Sequence, residues 1–186
     1  MNLNKRCFEH GGKMKRILSF VLVLTLIFAL AGCGAGNAAA NVKDANGDGK
    51  LTCTIAVRCD TLLDKKDKLT AGKAELVPEN GAILEEREVE FKAGESVFDV
   101  FRKVLKENKI HFEYVDSQAY NSVYIEGIGN IYEFDCGPQS GWVYMVNGVR
   151  PGVGCSAYTL ADGDEILFAY TCELGEDVEA LIKNEK

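Results

Sequence analysis

Residues 135–148, DCGPQSGWVYMVNG, hold a cysteine, a glutamine three residues after it, the only tryptophan of the chain and an Asn-Gly pair. Cys136-Gly137-Pro138-Gln139 has the Cys-Gly-x-Gln spacing at which a cysteine sulfur condenses with a glutamine side chain into an internal thioester, releasing ammonia. A turn shaped by Pro138, with Cys136 in a disulfide, uses the same residues and is the plainer reading. Trp142 and Tyr144 alternate with Val143 and Met145, so the two rings share one face of a strand, as core or as a platform for a ligand, and a partly exposed Trp142 is the expectation. Asn147-Gly148 then makes a tight turn into Arg150-Pro151-Gly152, where a ligand has room to approach.

Other chemistries lack their parts. The histidines are His10 and His111, and His111 opens an apparent strand with no nucleophile close in sequence. A Ser-His-Asp arrangement, zinc ligation by several histidines and a phosphate-cradling loop are all incomplete, so the expectation is a chain without catalysis. Asp44, Asn46, Asp48 and Gly49 copy the first half of a calcium-binding EF-hand loop, but Ile55 stands where the bidentate Glu belongs. Glu86, Glu88 and Glu90 line one face of a strand, the pattern of a solvated edge. No metal ligands are assigned, and divalent-metal binding through Asp44 and Asp48 or Glu86–Glu90 stays as an alternative.

The elements that must position these residues are legible in outline. Cys53, Ile55, Val57 and Cys59 alternate with Thr54, Ala56 and Arg58, which predicts a strand with one buried face. A turn at Pro78–Gly81 leads into a second strand over Ile83–Phe91. Ser96 is a predicted N-cap, with Asp99 in the first turn, of a helix whose Val97, Phe98, Phe101, Val104 and Leu105 form one apolar stripe. Short strands are expected at His111–Val115, Ser122–Ile125, Ile131–Phe134, Gly141–Val146 and Glu165–Cys172. One helix amid several strands makes the chain α+β.

The first residues read as an export signal. From Met14, Lys15 and Arg16 precede an apolar run from Ile17 to Ala31 that is short for a membrane span. Leu30-Ala31-Gly32-Cys33 resembles the lipobox of bacterial lipoproteins, whose cysteine is acylated, which makes Cys33 the expected lipidation site. Residues 1–13 then look like an over-long start, 14–33 the signal peptide and 34–50 a flexible tether. Beyond Cys33 there remain 16 Lys and Arg against 27 Asp and Glu, a net charge of −11, which disfavours nucleic acid and polybasic attachment to anionic lipid. Attachment to the membrane would then rest on the Cys33 lipid, with the protein facing outside the cytoplasm.

GESVFDVF, SGWVYMVNG and GCSAYTLADGDEILFAYT occur in that order, and with them residues 51–174 resemble the transcobalamin-like C-terminal domain found in bacterial lipoproteins and at the end of animal cobalamin carriers. The resemblance implies a β-grasp-like fold, a mixed sheet with one main packed helix and a β-hairpin; the residues beyond it, 175–186, read from their own composition as an acidic tail that could form a short helix. It also implies binding of a corrinoid such as cobalamin, or of a similar flat ligand, with Trp142, Tyr144, Asn147 and Arg150 as the candidate ligand-binding residues. A transporter or surface protein is the kind of partner such a module serves, and a structural or adhesive surface role is the alternative function. In a β-grasp sheet the first and last strands run parallel side by side, which would bring Cys59 near Cys172. Cys136 and Cys155 flank the Trp142 strand and are a second candidate pair. Cys53 and Cys59 cannot pair within one extended strand, and the remaining connectivities stay open.

Overall fold

The computed structural model describes residues 50–118 and 121–184, so Cys33, the tether with Asp44 and Asp48, and the export signal lie outside the described residues. Strand β1 (Leu51–Arg58) buries Cys53, Ile55 and Val57 as the alternation predicts. Ala56 on the opposite face is buried as well, because β1 is an interior strand covered on both sides. Its neighbours are β2 (Ala82–Phe91), antiparallel, and β7 (Glu165–Thr171), parallel. Strand β6 (Gly141–Val146) pairs antiparallel with β7, giving a mixed four-stranded sheet in the order β2-β1-β7-β6. Strand β2 is an edge, and Glu86, Glu88 and Glu90 are exposed along it. A smaller antiparallel sheet holds β3 (Phe112–Ser117), β4 (Ser122–Ile128) and β5 (Ile131–Tyr132).

Helix α1 (Val97–Glu107) begins where the sequence places it. Ser96 Oγ accepts the Asp99 N–H at 3.2 Å, and the Asp99 carboxylate accepts the Ser96 N–H at 3.0 Å and hydroxyl at 2.6 Å, a complete capping box. These bonds, the hydroxyl's first, hold the Asp99 carboxyl below its ordinary range. The apolar stripe, with Val100 added, is buried, and the Phe101 ring lies 4.3 Å from that of Phe168 on β7. This contact seats α1 on the mixed sheet. The structure is therefore α+β, with a sheet larger than its helical part.

Two expectations change. The Ile131–Phe134 run stops at Tyr132, because Asp135 turns back to accept the Tyr132 N–H at 2.7 Å and Phe134 takes a φ of 66°. The Asn147-Gly148 turn does form, with left-handed φ at both residues, yet its return arm is a single bridge from Val146 to Val149. Pro151 has no N–H to continue a ladder, so β6 takes β7 as its partner and residues 149–157 become a strap. The acidic tail forms the short helix its sequence allowed, α2 (Glu176–Asn184), and its Val178 is buried with Met145 and Ala169 on the sheet face away from α1. No helix among the described residues is long and apolar enough to cross a membrane.

Candidate functional site

Register sets the floor of the site. Trp142 pairs with Tyr170 and Tyr144 with Phe168 across β6 and β7, so four aromatic rings share the face that also carries α1. The Trp142 ring meets Tyr170 edge-on at 5.2 Å, and Tyr144 stacks on Phe168 at 5.9 Å. Cross-strand aromatic pairs of this kind add stability beyond their buried area. Opposite them the smaller sheet presents Val123, Tyr124 and Ile125 of β4. The strap, from Arg150 to Cys155, closes the third side. Between them lies a cleft of about 570 Å³, with Asn121 just before β4, Ser122 at its start and Ala157 at the end of the strap completing its lining.

The strap is held at each end. Tyr144 donates its hydroxyl to the Val153 carbonyl, and burial pushes that phenol above its usual range, with Cys155 and Tyr158 adding to the shift. Ser156 Oγ accepts the Val123 N–H at 3.0 Å and lies 2.8 Å from Ser122 Oγ, which ties the strap to β4. Gly154 crosses so close to that strand that an added Cβ would sit 2.0 Å from Ser122 Oγ. Arg150 donates to the Leu174 carbonyl at 2.8 Å and reaches Glu179 of α2 at 3.8 Å, so its guanidinium is fixed at the rim while remaining partly open to solvent.

Of the residues expected to bind a ligand, Trp142, Tyr144 and Arg150 come together in this cleft. Against the expected partial exposure, Trp142 is only 7% exposed, because its indole N–H is given to the Ile131 carbonyl at 2.8 Å, so it is core first and cleft wall second. Asn147 lies apart. Its amide bonds the Asp164 carboxylate and the Glu165 N–H, both at 2.9 Å, which locks the turn to the start of β7. The β4 wall, Phe168 and Val153 of the strap were not singled out as site residues, and Cys155 was read only as a disulfide partner. An alternating SVYIEGI run marks a strand there, but nothing local says which sheet it faces.

The expected cysteine pairs are not formed. Cys53, Cys59, Cys136, Cys155 and Cys172 are all free thiols. The strap carries Cys155 to β4, where its thiol points at the Val123 carbonyl at 3.9 Å, and the Cys172 thiol points at the Thr61 carbonyl at 4.0 Å without bonding Cys59. Gln139, the other half of the thioester spacing, is exposed, and its carbonyl accepts the Leu174 N–H. His111 is exposed and bonds Glu113 at 3.0 Å, beside Tyr132, on the smaller sheet away from the cleft. Among the described residues no three His, Cys, Asp or Glu side chains converge on a metal-sized point, so Glu86, Glu88 and Glu90 are not brought together as a site.

Residues 94–172 match the family model of a domain of unknown function, DUF4430. The match runs from the loop before α1 to the residue after β7 and contains every residue lining the cleft, while β1 and β2 precede it. No curated protein matches the chain. Among solved structures, haptocorrin in complex with Cbi is similar at 15% identity and a TM-score of 0.49, over 70% of this chain and 27% of haptocorrin. The chain thus corresponds to about a quarter of haptocorrin's length. A provisionally assigned metal binding protein from Ruminococcus gnavus ATCC 29149 is similar at 16% identity and a TM-score of 0.39, over 65% of this chain and 96% of that one.

Proposed function

We propose that this chain is a non-catalytic binding module, β-grasp-like and lipid-anchored through Cys33 outside the cytoplasm, whose cleft takes a flat, mainly apolar ligand. The observation that carries the reading is the cleft itself, about 570 Å³ walled by Val123, Ile125, Trp142, Tyr144 and Phe168 with Arg150 fixed at its rim. Apolar clefts of roughly 300–1,000 Å³ with a few placed polar groups are the usual form of small-molecule sites. A drug-sized molecule fits inside, and a larger flat ligand such as a corrinoid would insert one edge and lie across the mouth. Arg150 offers a charge-assisted bond to an anionic or carbonyl group on that ligand.

The absence of catalysis rests on how the polar side chains of the cleft are occupied. Tyr124 donates to Glu133 at 2.6 Å, and Ser122 is bonded to Ser156, not to a base. Burial pushes the Cys155 thiol up to about 11, so it stays protonated at neutral pH and is a poor nucleophile. A second reading, an adhesive surface module, has one observation in its favour: two apolar side chains close in sequence, Val149 after the turn and Val153 on the cleft wall, are 66% and 51% exposed.

Titration of the full chain with cobalamin, cobinamide and a panel of flat aromatic acids tests the proposal by tryptophan fluorescence, corrected for ligand absorbance, and by thermal shift. A ligand at 100 times its Kd should add about 2.7 kcal/mol of stability. Saturable quenching that weakens in Tyr144→Ala and Arg150→Ala supports the cleft as the site. A folded chain that responds to none of these ligands overturns this reading in favour of the adhesive one.

A further inference from the structure

Two of the five cysteines within the described residues differ from the others in position. Cys53, Cys59 and Cys155 are buried, whereas Cys136 and Cys172 are each partly open to solvent. The backbone brings these two together. In the β6–β7 ladder Gly141 faces Thr171, so Ser140 stands opposite Cys172, and the next contact outward is the Leu174 N–H on the Gln139 carbonyl at 3.0 Å. A tight turn returns Cys136 to the same place: its N–H donates to Ser140 Oγ at 3.0 Å, and the Ser140 N–H donates to the Gly137 carbonyl at 3.0 Å. Tyr170 buttresses the turn by donating to Ser140 Oγ at 3.0 Å.

We propose that Cys136 and Cys172 are an oxidisable pair that closes to a disulfide, stapling the turn before β6 to the end of β7. With glutathione disulfide as oxidant, one protein thiolate attacks a glutathione sulfur and releases the first glutathione thiol. The second protein thiolate then attacks that mixed disulfide and releases the other. The protein gives up two protons and two electrons, and glutathione disulfide is reduced to two thiols. The link closes a long loop holding both β6 and β7, the case in which constraining the unfolded chain counts most. Cys172 has its thiol pushed up to about 12 by burial and by the neighbouring Cys136, so it is held protonated until its partner reacts. Neither sulfur lines the cleft, but the link ends two residues before Leu174, whose carbonyl holds Arg150 at the rim.

The test uses the full chain, equilibrated in glutathione buffers from fully reduced to fully oxidised. Acid quenching, N-ethylmaleimide labelling in denaturant, digestion and mass mapping follow. The expected result is a linked peptide joining Cys136 to Cys172 at oxidising ratios, two hydrogens lighter than the sum of its parts, with Cys53, Cys59 and Cys155 labelled throughout. Labelling of both Cys136 and Cys172 at the most oxidising ratio, or a link from Cys172 to Cys59, overturns the proposal. As a second measurement, the melting temperature should fall by several degrees on adding reductant, and Cys136→Ser should abolish that dependence. If the variant does not fold, the map on the unaltered chain decides the question by itself.

Discussion

Replacing Trp142 separates a structural tryptophan from a platform kept for a ligand. The ring is 7% exposed, touches Tyr170 edge-on, and gives its N–H to the Ile131 carbonyl, joining β6 to the smaller sheet. Trp142→Phe keeps most of the ring volume but leaves that buried carbonyl without its donor, at a cost of about 1–3 kcal/mol. Trp142→Ala removes the ring as well, and large-to-small changes of this type cost about 3–5 kcal/mol. Urea unfolding followed by far-ultraviolet circular dichroism reads both variants, since neither retains tryptophan fluorescence. With a slope of about 1–3 kcal/mol per molar urea, a 2 kcal/mol loss moves the midpoint down by about 0.7–2 M. In the unaltered chain the emission should be blue-shifted and resist iodide quenching. A Trp142→Phe variant within about 0.5 kcal/mol of the original, the range of a neutral surface change, would refute the reasoning, because the indole bond would then be doing nothing that water does not.

Gly154→Ala should lose about 1–3 kcal/mol, since its Cβ would sit 2.0 Å from Ser122 Oγ, and thermal melts should show the fall. Gly152→Ala, with nothing within 4 Å of the added carbon and no positive φ, should be neutral or slightly stabilising in the same assay. Ser96→Ala removes the cap of α1 and should cost about 1 kcal/mol by denaturant titration. Because the Ser96 hydroxyl and N–H hold the Asp99 carboxyl low, the stability it contributes is full above the ordinary aspartate value and is lost as pH falls through the lower folded-state value. Ser96→Ala should therefore flatten the acid limb of the stability profile below about pH 4; an unchanged limb would assign the acid sensitivity to other carboxylates.

How much was legible depended on how far apart the interacting residues lie in the chain. Helix α1 could be read because a capping box spans Ser96 to Asp99 and an apolar stripe repeats every turn, so the residues that decide it are neighbours. Strands β1 and β6 were legible through alternation, which also placed Trp142 and Tyr144 on one face. Alternation does not say what covers that face. The Asn147-Gly148 signal correctly marked a turn, but a turn reports only its own φ angles, and Pro151 three residues on removed the donor a second arm needed. The tail's short helix was legible, but its buried contact, Val178 on Met145 and Ala169, was not, because it exists only where those residues form a sheet face.

By itself, the sequence determined the helix, its cap, the alternation of the main strands and the set of aromatic and cationic residues available for a site. Tertiary structure alone decided which of them meet. The cleft needs β4 opposite β6, the strap needs Ser156 on Val123, and the cysteine neighbours follow from Gly141 facing Thr171. A repeat of two residues assigns each side chain to a face, whereas partner strand and register are set by the packing of the whole core. That is why Trp142 was found from sequence, while its burial, and the meeting of the turn at Cys136 with the end of β7, belonged to the fold.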